Sequence, residues 1–152
     1  MSLQGKVEAE IELTSPADKF YNIFKSQAHH VPNTSASGTI TGVAVHEGDW
    51  ETEGSIKIWN YEIEGEVGTF KEKVEFDDVN KAAIVHGLEG DVFQYYKSFK
   101  GVYQFTQKDE GCSIANLSIE YEKLSEEVAA PDKYIRLMTN LVKDLDAHFI
   151  KA

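Results

Sequence analysis

Hydrophobic and polar residues alternate strictly near the start of the chain. Over residues 6–13, Val7, Ala9, Ile11 and Leu13 take every second position, and lysine or glutamate fills the positions between them. A period of two is typical of a β-strand that has one buried face and one face in solvent. The pattern therefore predicts a first strand over residues 6–13.

A helix is predicted directly after this strand. Ser15 has a side chain suited to capping a helix, Pro16 suits the first helical position, and Asp18 places a carboxylate near the positive end of the helix dipole. A second short helix is predicted over residues 28–34, ending near Pro32. Two short helices are thus expected between the first strand and the rest of the chain.

The middle of the chain reads as strands joined by short polar turns, which indicates antiparallel neighbours. The predicted strands cover roughly residues 38–46, 53–63, 66–78, 81–89, 94–107 and 112–122. From Pro131 to Phe149 apolar residues recur every three or four positions, which predicts one long amphipathic helix. The chain is therefore expected to be one α+β domain over residues 1–152, with a seven-stranded antiparallel sheet.

A pair of opposite charges is predicted on the dry face of this sheet. If residues 64–65 form a two-residue hairpin loop, Lys57 lies directly across from Glu72, although both fall on faces that are otherwise apolar. The same register predicts the pairs Trp59–Phe70 and Tyr61–Gly68. One interpretation is an ordinary core with a buried ion pair, and the other is an internal pocket with a few polar anchors for a small molecule.

Composition argues against several partners. Among 152 residues, 15 are basic and 26 acidic, which gives a net charge of −11, and Arg136 is the single arginine. Such an excess of negative charge repels nucleic acid and anionic membrane surfaces. Cys112 has no second cysteine to pair with, and the sequence contains neither a signal-peptide core nor a long apolar span, so a cytoplasmic location is expected.

Metal and nucleophile chemistry is also not expected. His29 and His30 are adjacent and would point about 100° apart on a helix, the other histidines are scattered, and Cys112 has no basic neighbour. The sequence therefore predicts no metal and no cofactor. An enzymatic alternative remains for Lys57 and Glu72, which could act as base and acid, because a desolvated lysine can lose its charge and become reactive.

Several segments resemble one protein family. These are LQGKVEAEIEL, SPADKFY, EGDWETEGSIKIWNY, HGLEGDVFQYYKSF and YEKL, which occur in this order. On these motifs the chain is similar, over essentially its whole length, to the plant major latex proteins of the birch pollen allergen (Bet v 1, START-like) superfamily. The resemblance implies a helix-grip fold, in which the sheet curves around the last helix, and a large cavity for hydrophobic metabolites, with links to defence and stress.

The birch pollen allergen branch of the superfamily has a glycine-rich loop between its second and third strands, and this chain departs from that pattern. Here the loop contains only Gly48 and Gly54, with Trp50 and acidic residues between them, so we do not expect it to bind phosphate. We expect the segments 47–53 and 89–94, together with the short helices, to form the entrance of the cavity.

Combining the dry faces with the resemblance gives a set of expected ligand-binding residues. They are Lys57, Trp59, Tyr61, Phe70, Glu72, Val85, Phe99, Tyr103, Phe105, Leu117, Leu137, Met138 and Leu141. The expected function is a monomeric carrier for a flavonoid, steroid, cytokinin or similar ligand. The alternatives are an alkaloid-type isomerase or condensing enzyme that uses Lys57, Glu72 and a cavity tyrosine, and a regulatory module that presents a ligand-gated surface to a protein partner.

Overall fold

The computed structural model describes residues 3–151, with the backbone alone for Lys151. The elements along this part of the chain are β1 (Gln4–Leu13), α1 (Ala17–Ser26), a short 3-10 helix (Ala28–His30), α2 (Val31–Thr34), β2 (Ile40–Glu47), β3 (Ile56–Ile63), β4 (Glu66–Asp77), β5 (Ala82–Gly90), a second 3-10 helix (Asp91–Gln94), β6 (Tyr96–Asp109), β7 (Cys112–Lys123) and α3 (Asp132–Lys151). None of the helices in this range is long and apolar enough to cross a lipid bilayer.

The strands form one antiparallel sheet in the order β1-β7-β6-β5-β4-β3-β2. The long helix α3 packs against β1 and β7, and α1 packs against β6. Between the layers lies a core whose central residues, Ile119, Val142 and Leu145, are fully buried. The predicted α+β class, the seven strands and the C-terminal helix are confirmed, and the arrangement is the helix-grip fold.

The tight turn between β3 and β4 fixes the register that the site depends on. Glu64 and Gly65 have φ angles of 53° and 84°, the left-handed conformation that a two-residue hairpin loop needs at both central positions. Lys57 is consequently paired with Glu72, as predicted. The pairs Trp59–Phe70 and Tyr61–Gly68 are also formed.

The predicted start of α1 was wrong. Pro16, with φ −66° and ψ 150°, occupies the N-cap position, and Ser15 makes no capping hydrogen bond. The first helical N–H, that of Ala17, instead donates to the side chain of Gln107 on β6 at 3.0 Å. The carbonyl of Ser15 accepts a hydrogen bond from the Ser113 hydroxyl at 2.7 Å. Long-range partners from the sheet therefore replace the local cap.

The predicted second helix and the predicted connection between β5 and β6 also differ from the structure. The single helix expected over residues 28–34 is divided into a 3-10 turn and α2, and α2 continues past Pro32 to Thr34. The connection between β5 and β6 contains a 3-10 helix where a simple turn was expected. The Asp91 carboxylate of this helix accepts a hydrogen bond from the Thr69 N–H at 2.6 Å, which attaches the connection to β4.

Candidate functional site

A cavity lies between the sheet and α3. It offers about 80 Å³ of space to the centres of water molecules. Most of its lining is apolar, and β3, β4, β5, β6, β7, α1 and α3 all contribute to it. The lining residues are Phe24, Ala28, Ile40, Lys57, Trp59, Tyr61, Phe70, Glu72, Val74, Val85, Val92, Phe99, Gly101, Tyr103, Ile119, Tyr134, Leu137, Met138 and Leu141.

The structure brings together all of the expected ligand-binding residues except Phe105 and Leu117, which do not border the cavity. The side chain of Phe105 lies under α1, where its ring stacks on Phe20 and Phe24 with centroid distances of 5.2 and 5.8 Å. Leu117 is 1% exposed and is paired with Ala9 on β1 and with Tyr103 on β6. The structure therefore does not place these two residues at the cavity, and for Phe105 the reason is that α1 covers its inward-facing side chain.

Several lining residues were missed. Val74 shares the dry face of β4 with Phe70, and Tyr134 lies one turn before Met138 on α3, so strand and helix periodicity could have included both. Ile40 begins β2, and Val92 lies in the connection between β5 and β6. No periodic pattern indicates the direction of the last two side chains.

The charged pair is buried and lies in the cavity wall. Lys57 is 1% exposed and Glu72 is 5% exposed, yet no nitrogen–oxygen distance within 4.0 Å joins them. Burial raises the pKa of Glu72 to about 8, and the positive charge of Lys57 opposes this rise. Burial likewise lowers the pKa of Lys57, which the charges of Glu72 and Asp49 oppose. Each group is thus shifted towards its neutral form by desolvation.

Aromatic rings surround the Lys57 ammonium. Its Nζ lies 5.9 Å from the ring centroid of Trp50 and 5.9 Å from that of Phe76. Trp50 comes from the loop between β2 and β3, and its ring also packs against that of His29 in a tilted arrangement, with a centroid distance of 5.0 Å. This indole therefore separates the buried ammonium from the first 3-10 helix, at one of the positions that we expect to form the entrance.

The loop that carries Trp50 is held by its own polar side chains. The Asp49 carboxylate accepts hydrogen bonds from the N–H groups of Glu51 at 2.9 Å and Thr52 at 2.7 Å, and these bonds lower the pKa of Asp49. The Asp49 N–H donates to the Ser55 hydroxyl at 3.1 Å. The position of Trp50 over Lys57 is thus set by the local structure of this loop.

Two buried donors in the cavity wall lack a hydrogen bond of regular geometry. The indole Nε1 of Trp59 and the hydroxyl of Tyr61 are buried and make no regular hydrogen bond, although Glu72 lies close to the first and Tyr134 close to the second. A buried polar group without a partner costs about 1–3 kcal/mol, and such groups are rare in folded proteins. Both of them belong to the lining of the cavity.

Tyr103 completes the polar part of the wall. It is 7% exposed, and burial together with the nearby charge of Glu72 raises the pKa of its hydroxyl far above the ordinary value. Within residues 3–151 no group of three histidine, cysteine, aspartate or glutamate side chains is placed to hold a metal ion. The chemistry that the cavity offers is therefore that of one lysine, one carboxyl group and a few neutral donors.

Comparison with known proteins gives a consistent result over the full chain. Residues 2–152 match the model of the pathogenesis-related protein Bet v 1 family. The chain is 35% identical to MLP-like protein 328 of Arabidopsis thaliana, with both chains covered completely. It is 42% identical to MLP-like protein 28 of the same plant over 98% of its own length, and it spans only 45% of that longer protein.

Solved structures agree with these sequence matches. The crystal structure of major latex-like protein 151 from Panax ginseng has a TM-score of 0.91 and 33% identity, covering 96% of this chain and 97% of the ginseng protein. Norcoclaurine synthase from Thalictrum flavum, solved with dopamine and hydroxybenzaldehyde, has a TM-score of 0.75 and covers 99% of this chain and 88% of its own. Its identity of 15% shows a shared fold alone.

Proposed function

The chain belongs to the pathogenesis-related protein Bet v 1 family, and from this premise we propose that it is a carrier that binds small hydrophobic or amphipathic metabolites in the cavity between the sheet and α3. The observation that supports this most directly is the pair of unpartnered donors, Trp59 Nε1 and the Tyr61 hydroxyl, in an otherwise apolar wall. Ligand sites typically combine apolar walls with a few polar groups that fix orientation. A ligand acceptor atom would satisfy donors that the protein itself leaves unpaired.

The size of the cavity limits what enters without rearrangement. The space open to water centres is about 80 Å³, which is enough for several water molecules or for a compact ligand. The expected flavonoid, steroid and cytokinin ligands differ in size, and the largest of them require the wall to move. Met138 on α3 has an unbranched, flexible side chain and can adapt to several ligand shapes.

The proposal is tested by extracting and identifying small molecules that co-purify with the protein from plant tissue. Val85 lines the cavity and is 8% exposed, so Val85→Phe should fill the cavity and remove the bound compound. Val67 is 80% exposed, so Val67→Phe adds the same side chain outside the cavity and should leave the compound in place. Equal loss or equal retention in the two folded variants would contradict binding in this cavity.

An enzymatic role is the second candidate. Lys57, Glu72 and Tyr103 share one cavity, and Lys57 and Glu72 have pKa values moved towards the range in which proton transfer is efficient. Such a site could promote isomerisation or condensation of an alkaloid-type substrate. Product formation from amine and aldehyde pairs, measured with the wild type and Lys57→Ala, tests this role. Tight binding without product in either protein would reject it.

Three broader features of the proposal do not depend on the cavity. We propose a cytoplasmic, monomeric protein that contributes to the plant's defence or stress response. Imaging of a fluorescent fusion and light scattering of the purified protein test the first two features. A ligand-dependent pull-down from plant extract would instead favour the regulatory alternative, in which a bound ligand creates a surface for a protein partner.

A further inference from the structure

The polar groups at the Lys57 end of the cavity are mostly donors. Lys57 makes no hydrogen bond and no ion pair within the described part of the chain, and its ammonium carries three N–H donors between the Trp50 and Phe76 rings. Two residues along the same face of β3, the Trp59 indole N–H makes no regular hydrogen bond, although the Glu72 carboxyl group lies close to it. A ligand group that accepts hydrogen bonds is therefore favoured here, and an anionic acceptor binds a buried ammonium most strongly.

The charged and titratable groups around this end limit how an anion can bind. Lys57 on β3 faces Glu72 on β4, and the charge of Asp49 reaches Lys57 from the loop between β2 and β3. Glu72 is in turn close to Trp59 on β3 and to Tyr103 on β6. A ligand carboxylate beside Lys57 would be repelled by a charged Glu72. Binding of an anion therefore requires Glu72 to carry a proton.

Glu72 is suited to carrying that proton. Its side chain is almost completely buried, so the charged form is poorly solvated, and the pKa is raised to about 8 by this burial. Near neutral pH the neutral carboxyl group can then donate its own hydrogen bond. Above about pH 8 the proton must be supplied on binding, and anion affinity must fall.

The apolar remainder of the cavity indicates the size and shape of the ligand. The space of about 80 Å³ open to water centres favours a compact ligand, such as one ring with a short side chain. The walls present ring edges and faces, since Phe99 packs against Phe70 and Tyr134 in T-shaped pairs with centroid distances of 5.6 Å each. An aromatic ring fits such a wall better than a flexible chain.

We propose that the cavity binds a small monocyclic aromatic carboxylic acid, whose carboxylate pairs with Lys57 while Glu72 is held in its neutral, protonated form. This inference rests on the proposed carrier function and names the ligand class of the same cavity.

Calorimetric titration of the wild-type protein with phenylacetate and with phenylacetamide tests the inference. The two probes have the same shape, and only the acid is charged. Below about pH 8 the acid should bind about tenfold or more tightly than the amide. Above that pH the affinity for phenylacetate should fall by up to about tenfold per pH unit, while the affinity for phenylacetamide should not depend on pH. Equal affinity for the two probes, or an acid affinity that does not change up to about pH 9, would overturn the proposal.

Two variants test which residue binds the ligand carboxylate and which residue carries the proton. Lys57→Met should abolish the preference for the acid. Glu72→Gln should bind the acid more tightly than the wild type at high pH and show a smaller decline. A decline that is unchanged in Glu72→Gln would assign the proton to Lys57 and overturn the role of Glu72. Because the comparison of the two probes uses the wild type, it stands even if a variant does not fold.

A neutral fluorescent probe, N-phenyl-1-naphthylamine, separates failure of this inference from failure of the carrier function. If this probe binds and Val85→Phe abolishes its binding, while neither phenylacetate nor phenylacetamide binds, the carrier function is supported and the inference is rejected. If none of the three compounds binds to the wild type, both are rejected.

Discussion

Lys57 and Glu72 face each other across β3 and β4 inside the protein without forming an ion pair. Removing charges from water costs free energy, and the attraction between two buried charges repays it only when they are closely paired. Here the ammonium contacts aromatic rings, and the carboxyl group has a raised pKa. The pair is therefore a stability cost to the empty protein, which is expected of residues kept for a ligand or for chemistry.

The raised pKa of Glu72 predicts how stability depends on pH. The folded-state pKa of about 8 exceeds the ordinary 4.5, so Glu72 contributes stability that is complete below about pH 4.5 and is lost as the pH rises towards 8. In Glu72→Gln this loss should disappear. The wild type should therefore lose free energy of unfolding relative to the variant, of the order of 4 kcal/mol, between about pH 4.5 and pH 8.

Urea unfolding of both proteins across this range measures that difference. Carboxylates with lowered pKa values, such as Asp77 and Asp78, stabilise the fold at higher pH, but they are present in both proteins and their effect is removed by the subtraction. A difference between wild type and Glu72→Gln that does not vary with pH would show that Glu72 titrates normally and that the pair is charged throughout.

Removal of the buried Tyr61 hydroxyl is expected to stabilise the folded protein. Because this hydroxyl is buried without a partner, Tyr61→Phe should raise the free energy of unfolding by about 1 kcal/mol. Tyr96 is a matched control, since it is equally buried and its hydroxyl donates to the Ala129 carbonyl at 2.6 Å. Tyr96→Phe should lower the free energy of unfolding by about 1 kcal/mol.

Chemical denaturation of the two variants under identical conditions checks this prediction. Comparable losses in both would mean that the Tyr61 hydroxyl has a partner in solution, either water or the nearby Tyr134. Affinity for a ligand with an acceptor group should fall in Tyr61→Phe alone, because Tyr96 does not line the cavity.

The sequence was sufficient to predict the register on which the site depends. A two-residue turn at residues 64–65 and the period of two along β3 and β4 are local features, so the opposition of Lys57 and Glu72 follows from short-range geometry. The start of α1 was not predictable in this way, because the Ala17 N–H is satisfied by Gln107, which is distant in sequence.

The boundary of the cavity was predicted less well, for a related reason. Strand alternation shows that Phe105 faces inwards, but only the packing of α1 decides that Phe20 and Phe24 cover it. In the same way, Ile40 and Val92 reach the cavity from an element end and a connection, where no periodicity operates. Periodicity identifies a face of an element, and tertiary packing selects which part of that face remains open.

The glycine opposite Tyr61 predicts an effect on binding. A methyl group at Gly68 would lie 2.7 Å from the Tyr61 hydroxyl, so Gly68→Ala should displace the ring and weaken ligand binding. Gly5 is a matched control, because it is paired with Tyr121 on β7 and a methyl group there would meet that ring in the same way. Both variants should lose about 1–3 kcal/mol of unfolding free energy.

Fluorescence titration with N-phenyl-1-naphthylamine, alongside thermal unfolding, distinguishes the two glycine variants. Gly68→Ala should lower affinity, and Gly5→Ala should retain it, because Tyr121 does not border the cavity. Loss of binding in both variants would indicate that general destabilisation, rather than the position of Tyr61, controls the cavity.

Phe70 and Phe105 lie on inward faces of the sheet but should differ in what their removal does. Phe105 is 1% exposed and stacked under α1, so Phe105→Ala should lower the free energy of unfolding by about 3–5 kcal/mol. Phe70 is only half-buried and borders the cavity, so Phe70→Ala should cost less and enlarge the space for a ligand. Affinity for N-phenyl-1-naphthylamine, measured with urea unfolding, should rise in Phe70→Ala and not in Phe105→Ala. Tighter binding by Phe105→Ala would place the ligand under α1 and move the binding site away from Lys57 and Glu72.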